Sequence, residues 1–164
     1  MAVELSTSNE RDALVTFLDK QRDALIRKAR GVGDTDARRA PTVSSLSLVG
    51  LLKHSAVWEA RWFQGVLAGR ELPDGWPEQR SPISDQDFLV DEGDTVELWV
   101  ARYEEAARTS RQIVDDMELD RRCARTDIID CNVRYVLLHM IEETARHAGH
   151  ADIIRETLDG SRGT

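Results

Sequence analysis

Apolar residues return every three or four positions along four stretches of this chain, the spacing of α-helices that each bury one face. The first stretch predicts a helix from about Ser8 to Arg30, with Leu14, Leu18 and Leu25 on its inner side. Thr7 and Glu10 have the spacing of a capping box at its start, Gly31 and Gly33 end it, and the polar residues up to Pro41 read as a loop. A second helix is expected from about Leu46 to Ala68, where Gly69 stops it, and Leu51, His54, Trp58 and Trp62 fall on one of its faces. The stretch from Arg70 to about Gly93 holds Pro73, Gly75, Trp76, Pro77 and Pro82, is too long for a tight turn, and reads as a lid or crossover connection. A third helix should begin at Asp94, paired with Glu97 in a second capping box, and carry Val96, Trp99, Tyr103, Ala106, Ile113 and Met117 along its stripe. The fourth should run from near Asn132 to about Leu158, ahead of Gly160. No stretch alternates with period two and no internal repeat is visible. The expected fold class is all-α: one domain over residues 1–164, folded as a four-helix bundle with a long crossover connection.

Size and composition leave that expectation in place and narrow the setting. A chain of 164 residues suits one sizeable core, and 41% hydrophobic with 32% charged residues is neither a disordered nor a membrane-embedded composition. No apolar run approaches the ~20 residues that span a bilayer, and the segment Met1–Ser8 lacks the features of a signal peptide, so a cytoplasmic location is expected. The 30 acidic residues outnumber the 22 basic ones, for a net charge of −8, which opposes binding to phosphate backbones. Only Lys20, Lys28 and Lys53 are lysines; arginine supplies the remaining positive charge, a bias that fits a GC-rich genome. Cys123 and Cys131 form no CxxC pair and have no neighbouring histidine, so they read as two free thiols and support neither a zinc finger nor a thioredoxin-like motif.

The chemistry lies on the fourth helix. Its inner stripe, Val136, Met140, Glu143, His147, His150 and Ile154, puts a carboxylate and two imidazoles where a core is expected. Glu143 and His147 are four residues apart and project from adjacent turns of one face. A buried carboxylate is costly unless it is paired or bound to a cation. His54 stands on the apolar face of the second helix, so a facing pair of helices can gather all three groups. Two imidazoles and a carboxylate make a divalent-metal site with one position open. Zinc leads, while nickel, cobalt and iron(II) accept the same donors. Each residue also has a plainer reading: His54 as a core histidine, Glu143 with His147 as an ordinary helix pair. His139 lies on the inward arc and can replace any of the three, and His150 can be a fourth ligand, a proton acceptor or an orienting group. All four histidines sit on these two helices and on their inner faces, which favours the metal. The arginines Arg61, Arg134, Arg146 and Arg155 read as partners of surface carboxylates, and Trp58, Trp62 and Trp99 as core.

The segments from Leu51 to Glu59 and from His139 to Asp152 resemble those of the DinB-like superfamily, and more narrowly its actinobacterial branch of mycothiol-dependent, metal-binding S-transferases. The resemblance spans nearly the whole chain. It implies a metal held by one histidine of the second helix and a pair four apart on the fourth. The usual pair is His-x-x-x-His; here Glu143 precedes His147, which is similar to the N-terminal domain of mycothiol-dependent maleylpyruvate isomerase. The resemblance therefore implies His54, Glu143 and His147 as ligands and mycothiol as cosubstrate. The isomerase has a further C-terminal domain that this sequence does not show, so its reaction is not expected.

The expected function is a metal-dependent mycothiol S-transferase, in which the metal ionises the thiol for attack on a small electrophile. His150 is the expected catalytic group, accepting the released proton or orienting Glu143. Partners are then a small-molecule thiol and an electrophile, with no nucleic acid and no membrane, and a homodimer is expected. The alternatives are a metal-dependent hydrolase, which needs no thiol, and a non-enzymatic stress or binding protein stapled by its metal.

Overall fold

The computed structural model describes residues 9–76 and 85–162, and the fold is all-α, as expected. Helix α1 spans Glu10–Ala29. Its cap is Asn9, whose side chain accepts from the Asp12 N–H at 3.0 Å; the Thr7 expected there lies outside the described residues. The chain leaves α1 through Gly31, at φ 81°, a left-handed conformation in which a Cβ would be strained.

The polar stretch that follows is not all loop. Residues Asp34–Ala37 form a short helix, α2. It is held from outside: the Asp34 carboxylate accepts from the Val96 N–H at 2.9 Å, and Ala37 is fully buried in the core. Neither contact has a periodic signature, so the local sequence reads as loop.

Helix α3 spans Leu48–Ala60 and begins two residues later than expected, because Ser47 caps it by accepting from the Gly50 N–H at 3.0 Å. Beyond Ala60 the same helix continues in the wider π form over Arg61–Leu67. Gly69, at φ 70°, turns the chain away. A single 3₁₀ turn, Asp85–Phe88, lies in the segment expected as a lid or crossover, while Pro77 and Pro82 lie outside the described residues.

Helix α4 spans Val96–Asp115 and α5 spans Val133–Asp159, closed by Asn132 at its start and left-handed Gly160 at its end. The expected cap of α4 is displaced by one residue. Thr95 is the cap, and the Asp94 carboxylate instead accepts from Trp99 Nε1 at 2.7 Å, the Asp91 N–H at 3.0 Å and Lys53 Nζ at 3.2 Å. Burial alone would raise the pKa of Asp94, but these three donors hold it below the ordinary aspartate value. Its stabilising effect is therefore complete above about pH 3.9, the unfolded value, and is lost as pH falls through the lower folded value. Asp94→Asn should flatten that acid limb in unfolding measurements at a series of pH values; an unchanged limb would assign the acid sensitivity to other carboxylates.

Helix α1 packs on α5 and α3 on α4, with further contacts of α3 to α5 and α1. One apolar cluster includes Leu25, Leu51, Leu52, Trp99, Tyr103 and Ile154; the other includes Leu18, Phe63, Ile113, Val136, Leu137 and Met140. Each of these larger side chains contributes about 1.5–3 kcal/mol by leaving water. A pair of opposite charges is buried with them. Arg22 of α1 is 3% exposed and donates to Glu59 of α3, which is fully buried. The four arginines expected at the surface do pair with carboxylates: Arg61 with Asp74 and Asp87, Arg134 with Glu10 and Asp120, Arg146 with Glu142 and Glu143, and Arg155 with Asp159. Among the described residues no helix is long and apolar enough to cross a membrane.

Candidate metal centre

Helices α3 and α5 face one another across a cavity of about 270 Å³ lined by residues that include His54, Trp58 and Trp62 from one side and His139, Glu143 and His147 from the other. Three successive turns of α5 present His139, Glu143 and His147 at intervals of four, so one helix supplies a column of polar groups to an otherwise apolar wall. Trp58 and Trp62 line this cavity, Trp62 also packing against the second apolar cluster, and Trp99 is core as expected. Other side chains share these rings: Arg61 lies over the Trp58 ring at 5.0 Å, and the His139 centroid is 4.4 Å from that of Trp62.

The rings of His54 and His147 meet edge to face, with centroids 4.8 Å apart. His147 Nε2 lies 3.7 Å from Glu143 Oε2, and the other carboxylate oxygen of Glu143 accepts from Arg146 at 2.6 Å. Both nitrogens of His147, and Nδ1 of His54, are buried without a hydrogen-bond partner. Unpaired buried polar atoms cost about 1–3 kcal/mol each, so three on two facing imidazoles call for an occupant. Burial first, then the proximity of His147 and Arg61, push the His54 pKa down to about 3. Burial likewise lowers that of His147, against the opposing pull of Glu143. Both imidazoles are then neutral at physiological pH, with lone pairs free for a Lewis acid.

Among the described residues, no three His, Cys, Asp or Glu side chains are drawn into a closed ligand cluster. The reason is visible at Glu143, which is shared between His147 and Arg146. The donor chemistry nonetheless suits a divalent ion: two neutral imidazoles with buried nitrogens that lack a hydrogen-bond partner, and a carboxylate oxygen 3.7 Å from one of them. His139 borders the cavity but packs against Trp62 at 4.4 Å and stacks on Tyr135 at 6.1 Å. His150 lies beyond His147, at 5.8 Å between centroids, and is not among the residues lining the cavity. Glu143 is oriented by Arg146 and not by His150.

One residue of the site has no signal in the sequence. Phe88, from the 3₁₀ turn, stacks on His54 with centroids 4.0 Å apart and planes 12° from parallel. The turn is pinned by Asp87, whose carboxylate accepts from Trp58 Nε1 at 3.1 Å and Arg61 Nη1 at 2.9 Å. It approaches α3 so closely that a Cβ on Gly50 would lie 2.6 Å from the Phe88 carbonyl oxygen. Gly50→Ala should therefore push this turn off α3, lowering stability by about 1–3 kcal/mol in thermal unfolding and removing the ring-current shift of His54 in NMR spectra. Unaltered His54 resonances would show that the turn is not held by this close approach.

The fold is similar to that of a conserved protein from Enterococcus faecalis whose crystal structure matches with a TM-score of 0.66 at 13% sequence identity, over 93% of this chain and 99% of that one. No protein of curated function matches this sequence. The pattern that defines the mycothiol-S-transferase family matches residues 13–160, nearly the whole chain and both helices of the histidine cavity. By that match, and in agreement with the resemblance carried by the second and fourth long helices, the chain belongs to the mycothiol-S-transferase family.

Proposed function

We propose that the protein is a metal-dependent mycothiol S-transferase whose ion is held by His54, Glu143 and His147. The observation that carries this reading is the pair of neutral, buried imidazoles with unpartnered nitrogens, facing each other beside one carboxylate. A divalent ion there, with zinc the leading choice, would lower the pKa of a coordinated thiol so that thiolate is present at neutral pH.

The chain's own residues supply the rest. The indoles of Trp58 and Trp62 and the Met140 side chain make the cavity wall apolar, which excludes water from a nucleophile that water would solvate. Phe88, stacked on His54, covers that imidazole and limits its rotation. Arg146 holds one oxygen of Glu143, leaving the other directed at His147. In the transfer, the thiol sulfur forms a bond to the electrophilic carbon, the bond from that carbon to its leaving group breaks, and the leaving group departs with the electron pair. The thiol proton is released; His139, the imidazole outside the ligand set that lines the cavity, is placed to receive it.

The test is conjugation of mycothiol to a bromobimane by protein reconstituted with zinc. A rate above the uncatalysed reaction that a chelator abolishes and zinc restores is the expected result. Chelator-sensitive ester hydrolysis in the absence of any thiol would point instead to a hydrolase, and conjugation indifferent to chelator would remove the metal from the mechanism.

A further inference from the structure

Cys123 and Cys131 lie in the connection between α4 and α5, outside the histidine cavity, and nothing in the proposed transfer uses them. Their sulfur atoms are 3.0 Å apart, about 1 Å longer than a covalent S–S bond and shorter than unbonded sulfurs ordinarily approach. The backbone already holds them in register. Cys123 N–H donates to the Cys131 carbonyl at 2.9 Å, Val133 N–H to Arg121 at 3.1 Å and Arg134 N–H to Leu119 at 3.0 Å. The next residues are fixed as well, with Ala124 and Arg125 donating to the carbonyls of Leu67 and Val66 at the end of the π segment. Bond formation between the sulfurs thus asks for side-chain rotation and little else.

The two thiols differ in access. Cys123 is 3% exposed, whereas Cys131 is half-buried and lines an open surface depression of about 400 Å³ with Arg122, Asn132 and Tyr135. We propose that Cys123 and Cys131 form a reversible dithiol–disulfide site that exchanges with small aliphatic disulfides, with Cys131 as the entry thiol and Cys123 as the resolving one.

The exchange balances without any other oxidant. Cys131 Sγ, as thiolate, attacks one sulfur of the small disulfide; the new S–S bond forms, the old one breaks, and the first small thiolate leaves and takes up the proton that Cys131 lost. Cys123 Sγ then attacks Cys131 Sγ, passes its proton to the second departing thiolate, and closes the internal disulfide. The protein is oxidised by two electrons and the small disulfide is reduced to two thiols. Burial first, then the hydrogen bond and charge of Cys131, push the Cys123 thiol up to about 12, which keeps it protonated and assigns the first attack to Cys131.

This inference does not rest on the transferase reading, and its test involves neither metal nor electrophile. The reduced protein is incubated with excess bis(2-hydroxyethyl) disulfide and followed by intact mass and maleimide labelling. Wild type should lose both reactive thiols and the mass of two hydrogens, with no adduct retained. Cys123→Ser, and independently Cys123→Ala in case the serine is poorly tolerated in that buried position, should stop at a single mixed disulfide on Cys131. Cys131→Ser, with circular dichroism matching wild type, should keep its Cys123 thiol at least about 10-fold longer. A persistent mixed disulfide on wild type, an intermolecular disulfide, or two thiols surviving the incubation would overturn the proposal. Equal reactivity of Cys131→Ser and wild type would overturn the assignment of the entry thiol.

Discussion

Replacing His147 with alanine should release the divalent ion and lower mycothiol-dependent transfer by at least about 10³-fold. His147 is singled out because both of its nitrogens are buried without partners, and because it stands between His54 and Glu143. Arg146 is a cation and His150 does not line the cavity, while His139 lines it but is packed against Trp62 and Tyr135. His54→Ala should behave similarly. Glu143→Gln should be milder, because an amide oxygen still offers a donor while Arg146 loses one of its two carboxylate partners. The measurement is elemental analysis of untagged protein alongside the transfer rate. About one equivalent of metal in wild type, lost in His147→Ala and His54→Ala, is the expected pattern. A His147→Ala protein that keeps both its metal and its rate would place the ion elsewhere and return these histidines to the status of buried polar groups.

The second large effect should appear at the opposite face of α3. Arg22→Met removes the cation from a fully buried Glu59 and should destabilise the protein by about 3–5 kcal/mol, lowering Tm on the order of 10 °C. The size follows from the asymmetry of buried ion pairs. The intact pair roughly balances its own desolvation, but one orphaned charge carries the whole desolvation cost. Burial works against the charge of Arg22, yet the field and hydrogen bond of Glu59 hold its pKa above the ordinary arginine value. Asp19 is not left alone by the substitution, because Arg111 also donates to it at 2.8 and 3.0 Å. The double variant Arg22→Met with Glu59→Leu should recover most of the loss, with apolar volume in place of charge. A double variant as unstable as the single one would mean that the damage comes from packing and not from the unpaired carboxylate.

Burial explains why this pair was invisible in the sequence. Arg22 and Glu59 occupy polar positions of their helices and read as solvated, and only the crossing of α1 with α3 makes them partners. The same holds for Phe88 and Asp87, which lie in a connection without periodicity and reach His54 and Trp58 only after that connection folds back on α3. Helix starts were legible to within a residue or two. Asn132 caps α5 at the expected start. The start of α4 was misplaced because Asp94 and Thr95 are both good caps, and Trp99 of the same helix together with Lys53 of α3 takes the aspartate. The π form of Arg61–Leu67 left no trace in a pattern that three- and four-residue spacings also fit.

What the amino-acid sequence determined by itself is the part of the molecule set by local periodicity and punctuation: four long helical segments, their glycine stops, and the placing of all four histidines on two of them. Side-chain spacing along a helix is a one-dimensional property, so His139, Glu143 and His147 could be assigned to one face from the chain alone. What only the tertiary structure decided is everything that depends on separations across helices. It brought His54 to within 4.8 Å of His147 between ring centroids, set two tryptophans along a cavity wall, and drew Cys123 against Cys131. Those distances follow from how helices settle against one another to exclude water, an effect without direction along the chain that no spacing of residues encodes.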